Sequence, residues 1–337
     1  MTGFEATAYR GARALVVGAT GFIGQRVASL LDRSGARVTA TGRDPAALAA
    51  LRRRLSARGE TVVCDVGSAD EVTRLLRRTQ PAITFNLAGY GVDRTERDEA
   101  AAHRINAELP ALLVRQLSQA GRGGWSGQVL VHAGSALEYG EARGDLDEDT
   151  VPVATTLYGR TKLAGTQAVT EQSAQGLAAL TARLFTVYGP GEHAGRLLPS
   201  LLETAHRGVP LDLTAGTQLR DFTYVDDVAE GMLRLGTSPP GAPAVVNLAT
   251  GRLESVRGFT ERAARVLGID SALLRFGALP ARGEEMSHDP VSVRRLRELT
   301  GWVPRTTIEE GVRRTVTEVD GGETGEPSSE PGVRAGQ

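Results

Sequence analysis

Short apolar runs alternate, through the first half of the chain, with longer stretches whose apolar positions recur at helical spacing. The first run, Ala14-Leu15-Val16-Val17, passes through Gly18-Ala19-Thr20-Gly21-Phe22-Ile23-Gly24 into an amphipathic stretch that reaches Leu31. The same pattern predicts further strands over 37–41, 61–64, 83–85 and 128–132. After the fourth strand comes a helical stretch that carries Asn106, Leu112, Leu113 and Leu117. After the fifth comes an acidic loop over 141–150, and then a helix beginning at Tyr158. Strands alternating with helices of this length predict an α/β fold, a doubly wound Rossmann-type parallel sheet with helices on both faces. In such a sheet, ligands lie outside the carboxyl ends of the strands.

The second half is less regular. Asp227-Val228-Ala229-Glu230 reads as a capping box that starts a helix through Leu235, and 237–243 reads as a turn-rich linker before the strand Val245-Val246-Asn247-Leu248. Ser255 caps a helix whose Val256, Phe259, Ala263, Val266 and Leu267 form one apolar face ending before Gly268. Asp289-Pro290 is expected to start another, with Val293, Leu296 and Leu299 inward and Gly301 past its end. The expected division is a dinucleotide-binding domain over 12–186, with returns at about 220–250, and a smaller, discontinuous C-terminal lobe over 187–219 and 251–318. The tail, 321–337, is rich in Gly, Glu, Ser and Pro without aromatics and is expected to be disordered.

Composition narrows the partners. A net charge of -1 over 337 residues and the lack of a basic, aromatic-interleaved stripe argue against nucleic acid. Cys64 is the single cysteine and the five histidines lack metal-ligand spacing, so no disulfide and no metal site are expected. No apolar run reaches the roughly 18 residues of a membrane span, and no signal peptide is read, so the expected location is cytoplasmic. One count stands out: among 39 Lys+Arg, Lys162 is the only lysine. A compact ammonium with a tunable pKa is not interchangeable with a guanidinium fork, so this position has a specific need.

The chemistry-bearing residues fall at the strand ends. Gly18, Thr20, Gly21, Phe22, Ile23 and Gly24 form a strand-loop-helix turn in which a pyrophosphate can rest on helix N–H groups, although helix-strand packing also favours such glycines. After the second strand stands Gly42-Arg43-Asp44, where an arginine suits the 2′-phosphate of NADP; in the alternative, Arg43 is solvated and Asp44 takes the ribose. Asp65, followed by Val66, is placed to accept from an adenine amino group or to cap the next helix. Leu87, Ala88 and Gly89 let backbone pass close to a flat cofactor. Ser135 ends the fifth strand, and Tyr158 stands four residues before Lys162, on one helical face about 6 Å away. An ammonium there is expected to lower the phenol's pKa towards working pH.

In this order the glycine turn, Asp65, Asn86-Leu87-Ala88-Gly89, Ser135 and Tyr158-x-x-x-Lys162 resemble the extended short-chain dehydrogenase/reductases that act on nucleotide sugars. Leu184 to Gly191, Arg220 to Asp227, Arg282-Gly283-Glu284 and Gly301-Trp302-x-Pro304 extend the resemblance over roughly 12 to 316. It implies a substrate-binding role for the smaller lobe, a catalytic set of Ser135, Tyr158 and Lys162, and a nicotinamide cofactor that exchanges hydride while Tyr158 exchanges a proton. It adds Asn106 to the cofactor-binding residues, makes Arg220, Arg282 and Arg196 clamps for the substrate diphosphate, and places Thr186 where many relatives carry an asparagine on that diphosphate. It also implies a homodimer.

Departures from the pattern narrow the reaction. Sugar-nucleotide dehydratases of the group carry an adjacent Asp-Glu pair after the Ser/Thr, whereas this chain has Ala136-Leu137, with Glu138 one position late. Dehydration is therefore disfavoured. The expected activity is NADPH-dependent reduction of a keto group, the 4-keto foremost, of a nucleoside-diphosphate 6-deoxyhexose in deoxysugar biosynthesis. NADP(H) is favoured by Gly42-Arg43, with NAD retained as the other choice. The alternatives are an NAD-dependent nucleotide-sugar 4-epimerase and a non-catalytic dinucleotide-binding sensor.

Overall fold

Strand β1 (Arg13–Val17) sends alternate side chains to opposite faces. Ala14 and Val16 pack with Val27 and Leu31, whereas Leu15 and Val17 pack with Leu75 and Leu113. A strand buried on both sides needs helices on both sides. The computed structural model describes residues 6–91, 96–119, 124–280 and 288–323, the side chains of 321–323 excepted.

The other early strands are β2 (Arg37–Gly42), β3 (Glu60–Val63), β4 (Ile83–Asn86), β5 (Leu130–Ser135) and β6 (Ala179–Leu184). Then β7 (Thr186–Tyr188), β8 (Leu211–Leu213) and β9 (Leu219–Tyr224) leave the main layer, and β10 (Val245–Leu248) rejoins it. The short strands β11 (Leu253–Ser255) and β12 (Leu274–Phe276) follow. The helices are α1 (Phe22–Arg33), α2 (Pro45–Arg54), α3 (Ala69–Thr79), α4 (Glu99–His103), α5 (Leu109–Ser118) and α6 (Leu157–Ala174). They continue as α7 (Leu197–Arg207), α8 (Val225–Gly236), α9 (Val256–Leu267), α10 (Arg294–Thr300) and α11 (Ile308–Glu323).

The main sheet has seven strands in the order β10-β6-β5-β4-β1-β2-β3, all parallel. Helices α1, α8 and α10 cover one face, and α3, α5 and α6 the other. The order reverses between β1 and β4, so their carboxyl ends open a crevice there. A second apolar cluster lies apart from the sheet, around Tyr188, Leu201, Phe222 and Phe259, whose Phe222–Phe259 rings stack at 4.3 Å. In it β9 pairs with β7 and β11, β8 pairs with β12, and α7, α9 and α11 supply the cover.

Several expectations about element ends change. Strand β5 runs over Leu130–Ser135 instead of 128–132, because the Gln128 N–H donates to the Gly236 carbonyl, outside the ladder, while Ser135 remains in register with Leu184. Helix α8 starts at Val225, with no capping box at Asp227; the Asp227 carboxylate instead accepts from the Arg305 and Thr306 N–H groups and from the Thr306 hydroxyl. Helix α10 begins at Arg294 because Pro290 and Ser292 exchange backbone hydrogen bonds with Leu146 and keep that segment extended. Gly301, in the left-handed conformation, ends α10 as expected. Helix α11 runs to Glu323, three residues into the segment expected to be disordered; the rest of that segment, 324–337, lies outside the described residues.

Candidate active site

A cleft of about 400 Å³ opens at the carboxyl ends of the main strands. On its floor, α1 begins at Gly21 with no side-chain cap, which leaves first-turn N–H groups facing the cleft for an anion. The turn is tight because two glycines let backbones touch. A Cβ on Gly18 would stand 2.7 Å from the Ala88 nitrogen, and one on Gly24 would stand 2.0 Å from the Gly18 oxygen. Gly18, Thr20, Gly21, Phe22, Ile23 and Gly24 all line the cleft, as do Arg43, Val66, Leu87, Ala88 and Gly89. These residues fit a dinucleotide.

Four expected residues are placed elsewhere among the described residues. Asp65 is exposed and holds the Gly67 N–H, while its neighbours Cys64 and Val66 line the cleft. Asn106 is fully buried and works one layer back. Its Oδ1 accepts from the Tyr90 N–H at 2.9 Å, and its Nδ2 donates to the Tyr90 carbonyl at 2.8 Å and to Thr161 at 3.0 Å. It therefore pins the end of the Leu87-Ala88-Gly89 loop. The local cause is Pro110: it lacks the N–H that would answer the Asn106 carbonyl in an α-helix, and residues 104–108 widen into a π-turn against Gly165. Thr186 pairs in register with Phe222, and its neighbours Phe185 and Val187 reach the cleft in its place. Arg220 sits on β9 beside His288 and does not line the cleft. Arg282 lies outside the described residues.

Ser135, Tyr158 and Lys162 meet at the cleft's inner end. β5 delivers Ser135 as its last residue, and Thr156 caps α6 by accepting from the Gly159 N–H, which fixes Tyr158 in the first turn. Burial, then the charge of Glu138, push the Tyr158 hydroxyl up to about 12, against the opposing pull of Arg196 and the Ser135 side chain. Lys162 is also buried, which brings its ammonium down to about 8, and it donates to the Ala133 carbonyl. The expectation that Lys162 draws the phenol towards neutral pH is not met here: burial and Glu138 raise it, the lowering influences come from Arg196 and Ser135, and the phenol stays protonated.

Glu138 does not point into the cleft. Its carboxylate accepts from the Ser135 N–H at 2.8 Å, Thr166 at 3.0 Å and the Arg183 guanidinium at 2.9 Å, with the side chain fully buried. Such a carboxylate braces Ser135 and is unavailable to a substrate. Arg43 is exposed at the cleft, while Asp44 spends its carboxylate on the Ala46 N–H at the start of α2.

Three chemistry-bearing residues on the cleft wall carry no sequence signal by spacing: Glu96, Glu192 and His193. Glu96 accepts from the Gly91 N–H and raises the Tyr158 pKa. Glu192 is ion-paired to Arg196 at 3.4 Å, and Arg196, at the start of α7, lines the cleft within electrostatic reach of Tyr158. Among the described residues no group of three or more His, Cys, Asp or Glu is arranged to hold a metal, and no helix is long and apolar enough to cross a membrane.

Comparison with known proteins agrees with this geometry. Residues 14–249 match the family model described as the NAD dependent epimerase/dehydratase family. The chain is 30% identical over 319 residues to a dTDP-6-deoxy-L-talose 4-dehydrogenase (NAD(P)(+)) from Kitasatospora kifunensis, covering 91% of this chain and 95% of that one. It is 31% identical over 238 residues to UDP-glucuronate 4-epimerase 1 from Arabidopsis thaliana, covering 66% and 54%. The solved structure of MoeE5 in complex with UDP-glucuronic acid and NAD superposes with a TM-score of 0.77 at 29% identity, covering 92% and 99%.

Proposed function

The chain belongs to the NAD dependent epimerase/dehydratase family, and on that premise we propose that it reduces the 4-keto group of a nucleoside-diphosphate 6-deoxyhexose with NADPH. As a family member it is an NAD(P)-dependent oxidoreductase or epimerase, which sets aside a purely sensing role. The observation that carries the reductive reading is Arg43, exposed on the cleft after β2 where a 2′-phosphate would lie, while the Tyr158 hydroxyl stands protonated beside Ser135 at the other end. A phenol kept protonated at neutral pH is a proton donor, and a carbonyl oxygen turning into an alcohol needs one. The relative from Kitasatospora, whose name places its reaction at the 4-position of a dTDP-6-deoxy sugar, supports the same substrate class.

When bound, the dinucleotide supplies the hydride. The first turn of α1 and Gly18 would hold its pyrophosphate, and the Leu87 to Gly89 backbone would flank it. Arg43 supports NADPH, because an exposed guanidinium suits a 2′-phosphate and Asp44, the acid that would serve a ribose diol, is committed to α2. Ser135 fixes the substrate oxygen, Tyr158 gives it a proton, and the buried Lys162 ammonium presents a positive charge at the same end of the cleft. Burial of Lys162 strengthens the field of its ammonium there.

A 4-epimerase is the second reading, favoured by the match to UDP-glucuronate 4-epimerase 1. Such an enzyme must take a proton before returning it and keeps its NAD bound. The two separate on the dinucleotide released by denaturing the purified protein. Little or no retained cofactor, with tight NADPH binding on titration, is the outcome expected of the reductase; stoichiometric NAD belongs to the epimerase. Homodimer formation remains a proposal that sedimentation tests.

A further inference from the structure

The turn Gly189-Pro190-Gly191 projects Glu192 onto the cleft wall, and α1 fixes that turn from below. Arg26 donates to the Pro190 carbonyl at 3.1 Å, and Gln25 lies against Gly191, where an added Cβ would stand 3.1 Å from its amide nitrogen. Arg26 is in turn held by Glu318 of α11, so the turn rests on a packed side chain bound from two elements. The Glu192 side chain is only 7% exposed. One carboxyl oxygen faces Arg196 at 3.4 Å; the other, Oε2, is buried without a hydrogen bond of good geometry, and the Gly189 N–H bears on the same carboxyl. A buried carboxyl oxygen left unpaired is costly, so a rigid turn that keeps one on a cleft wall is arranged for a donor that arrives with a ligand.

We propose that Glu192 is a specificity-determining residue whose carboxyl, on the cleft wall, accepts a hydrogen bond from a hydroxyl of the sugar ring. This rests on the reductase reading for the substrate class, though not for the direction of the reaction. Arg196, paired to Glu192 and acting on Tyr158, ties the recognised hydroxyl to the proton donor.

Burial pushes the Glu192 carboxyl up to about 7, against the opposing effects of Arg196 and the Gly189 N–H. The carboxylate is the better acceptor, so sugar binding strengthens as pH rises through about 7. The charged or titratable groups around this carboxyl are Arg196 from α7, Arg26 from α1 beneath the turn, and, lining the same cleft, Tyr158 and Lys162 from α6 with Glu96 and His193.

The test is calorimetric binding to the protein saturated with NADP+, using dTDP-6-deoxyglucose, its 2-deoxy and 3-deoxy analogues, and dTDP. The proteins compared are wild type, Glu192→Gln, which keeps a carbonyl oxygen for Arg196, and Glu192→Asp. Wild type is expected to bind one deoxy analogue roughly tenfold or more weakly than the parent sugar, and Glu192→Gln to lose that preference while binding dTDP and NADPH as wild type does. The gain in sugar affinity of wild type between about pH 6 and 8 should vanish in Glu192→Gln and persist in Glu192→Asp. Equal discrimination by wild type and Glu192→Gln overturns the proposal, and so does weaker NADPH binding in Glu192→Gln, which assigns the carboxyl to the cofactor. A wild type that shows the expected discrimination but consumes no NADPH with the 4-keto sugar leaves this inference standing and removes the reductase reading; one that binds no sugar removes both.

Discussion

Glu138 is ion-paired to Arg183 at 2.9 Å with both side chains buried, and the same carboxylate accepts the backbone N–H of Ser135. The pair fixes the end of β5 where the serine hydroxyl must stand, and it accounts for why a glutamate so near Ser135 serves the fold instead of the chemistry. Arg183 also stacks over the Tyr139 ring at 4.5 Å. Removing one partner leaves an uncompensated buried charge, so Glu138→Ala is expected to lose about 3–5 kcal/mol of stability. Denaturant unfolding monitored by circular dichroism measures this, and an unchanged midpoint would contradict the assignment.

Asn106 holds Tyr90 by both its backbone groups. Asn106→Ala removes that clamp, and the loop from Leu87 should lose its fixed approach to the cofactor. The expected result is NADPH binding weaker by roughly an order of magnitude, with a stability loss of about 1–3 kcal/mol. Fluorescence titration of NADPH reads the first quantity, and unaltered affinity in a folded variant would return Asn106 to a purely architectural role.

Arg43 is expected to act on one cofactor only. Arg43→Ala should weaken NADPH binding roughly tenfold or more while leaving NADH within about twofold, since only the former carries the 2′-phosphate. Parallel titrations with the two dinucleotides decide it. A variant that loses both equally would place Arg43 on the shared part of the cofactor.

The rate of reduction should fall as pH rises through about 8. Burial brings Lys162 down to that value, while Tyr158 stays protonated up to about 12, so the first group lost on the alkaline side is the ammonium. Turnover at saturating substrate between about pH 6 and 10 is expected to be level and then to decline by about one decade per unit. A flat profile reaching about pH 10 would mean that Lys162 keeps its proton in the complex or that its charge is not needed.

The glycine turn, Ser135, Tyr158 and Lys162 were legible because each depends on spacing that local structure enforces: a strand-loop-helix turn, a strand end, one helical repeat. What was not legible depends on distant packing. Asp227 has the sequence of a capping box, yet its carboxylate is drawn to Thr306, 79 residues away. The role of Asn106 follows from Pro110 and Gly165 together, of which only the first is nearby in the chain. Glu192 needs a turn pinned by Arg26, 164 residues from Pro190. The acidity of Tyr158 is likewise set by distant packing: Tyr-x-x-x-Lys records a cation one turn away, whereas burial and the Glu138 charge decide the phenol's pKa.

The central claim is that Tyr158 gives a proton to a 4-keto sugar nucleotide during net reduction. Its most direct measurement is the consumption of NADPH by the purified protein with dTDP-4-keto-6-deoxyglucose, alongside Tyr158→Phe. The expected result is one NADPH oxidised per 4-hydroxy product formed, with the variant slowed by at least about a hundredfold while still binding NADPH. Interconversion of two 4-hydroxy epimers on a tightly held NAD, with no NADPH consumed, would contradict it.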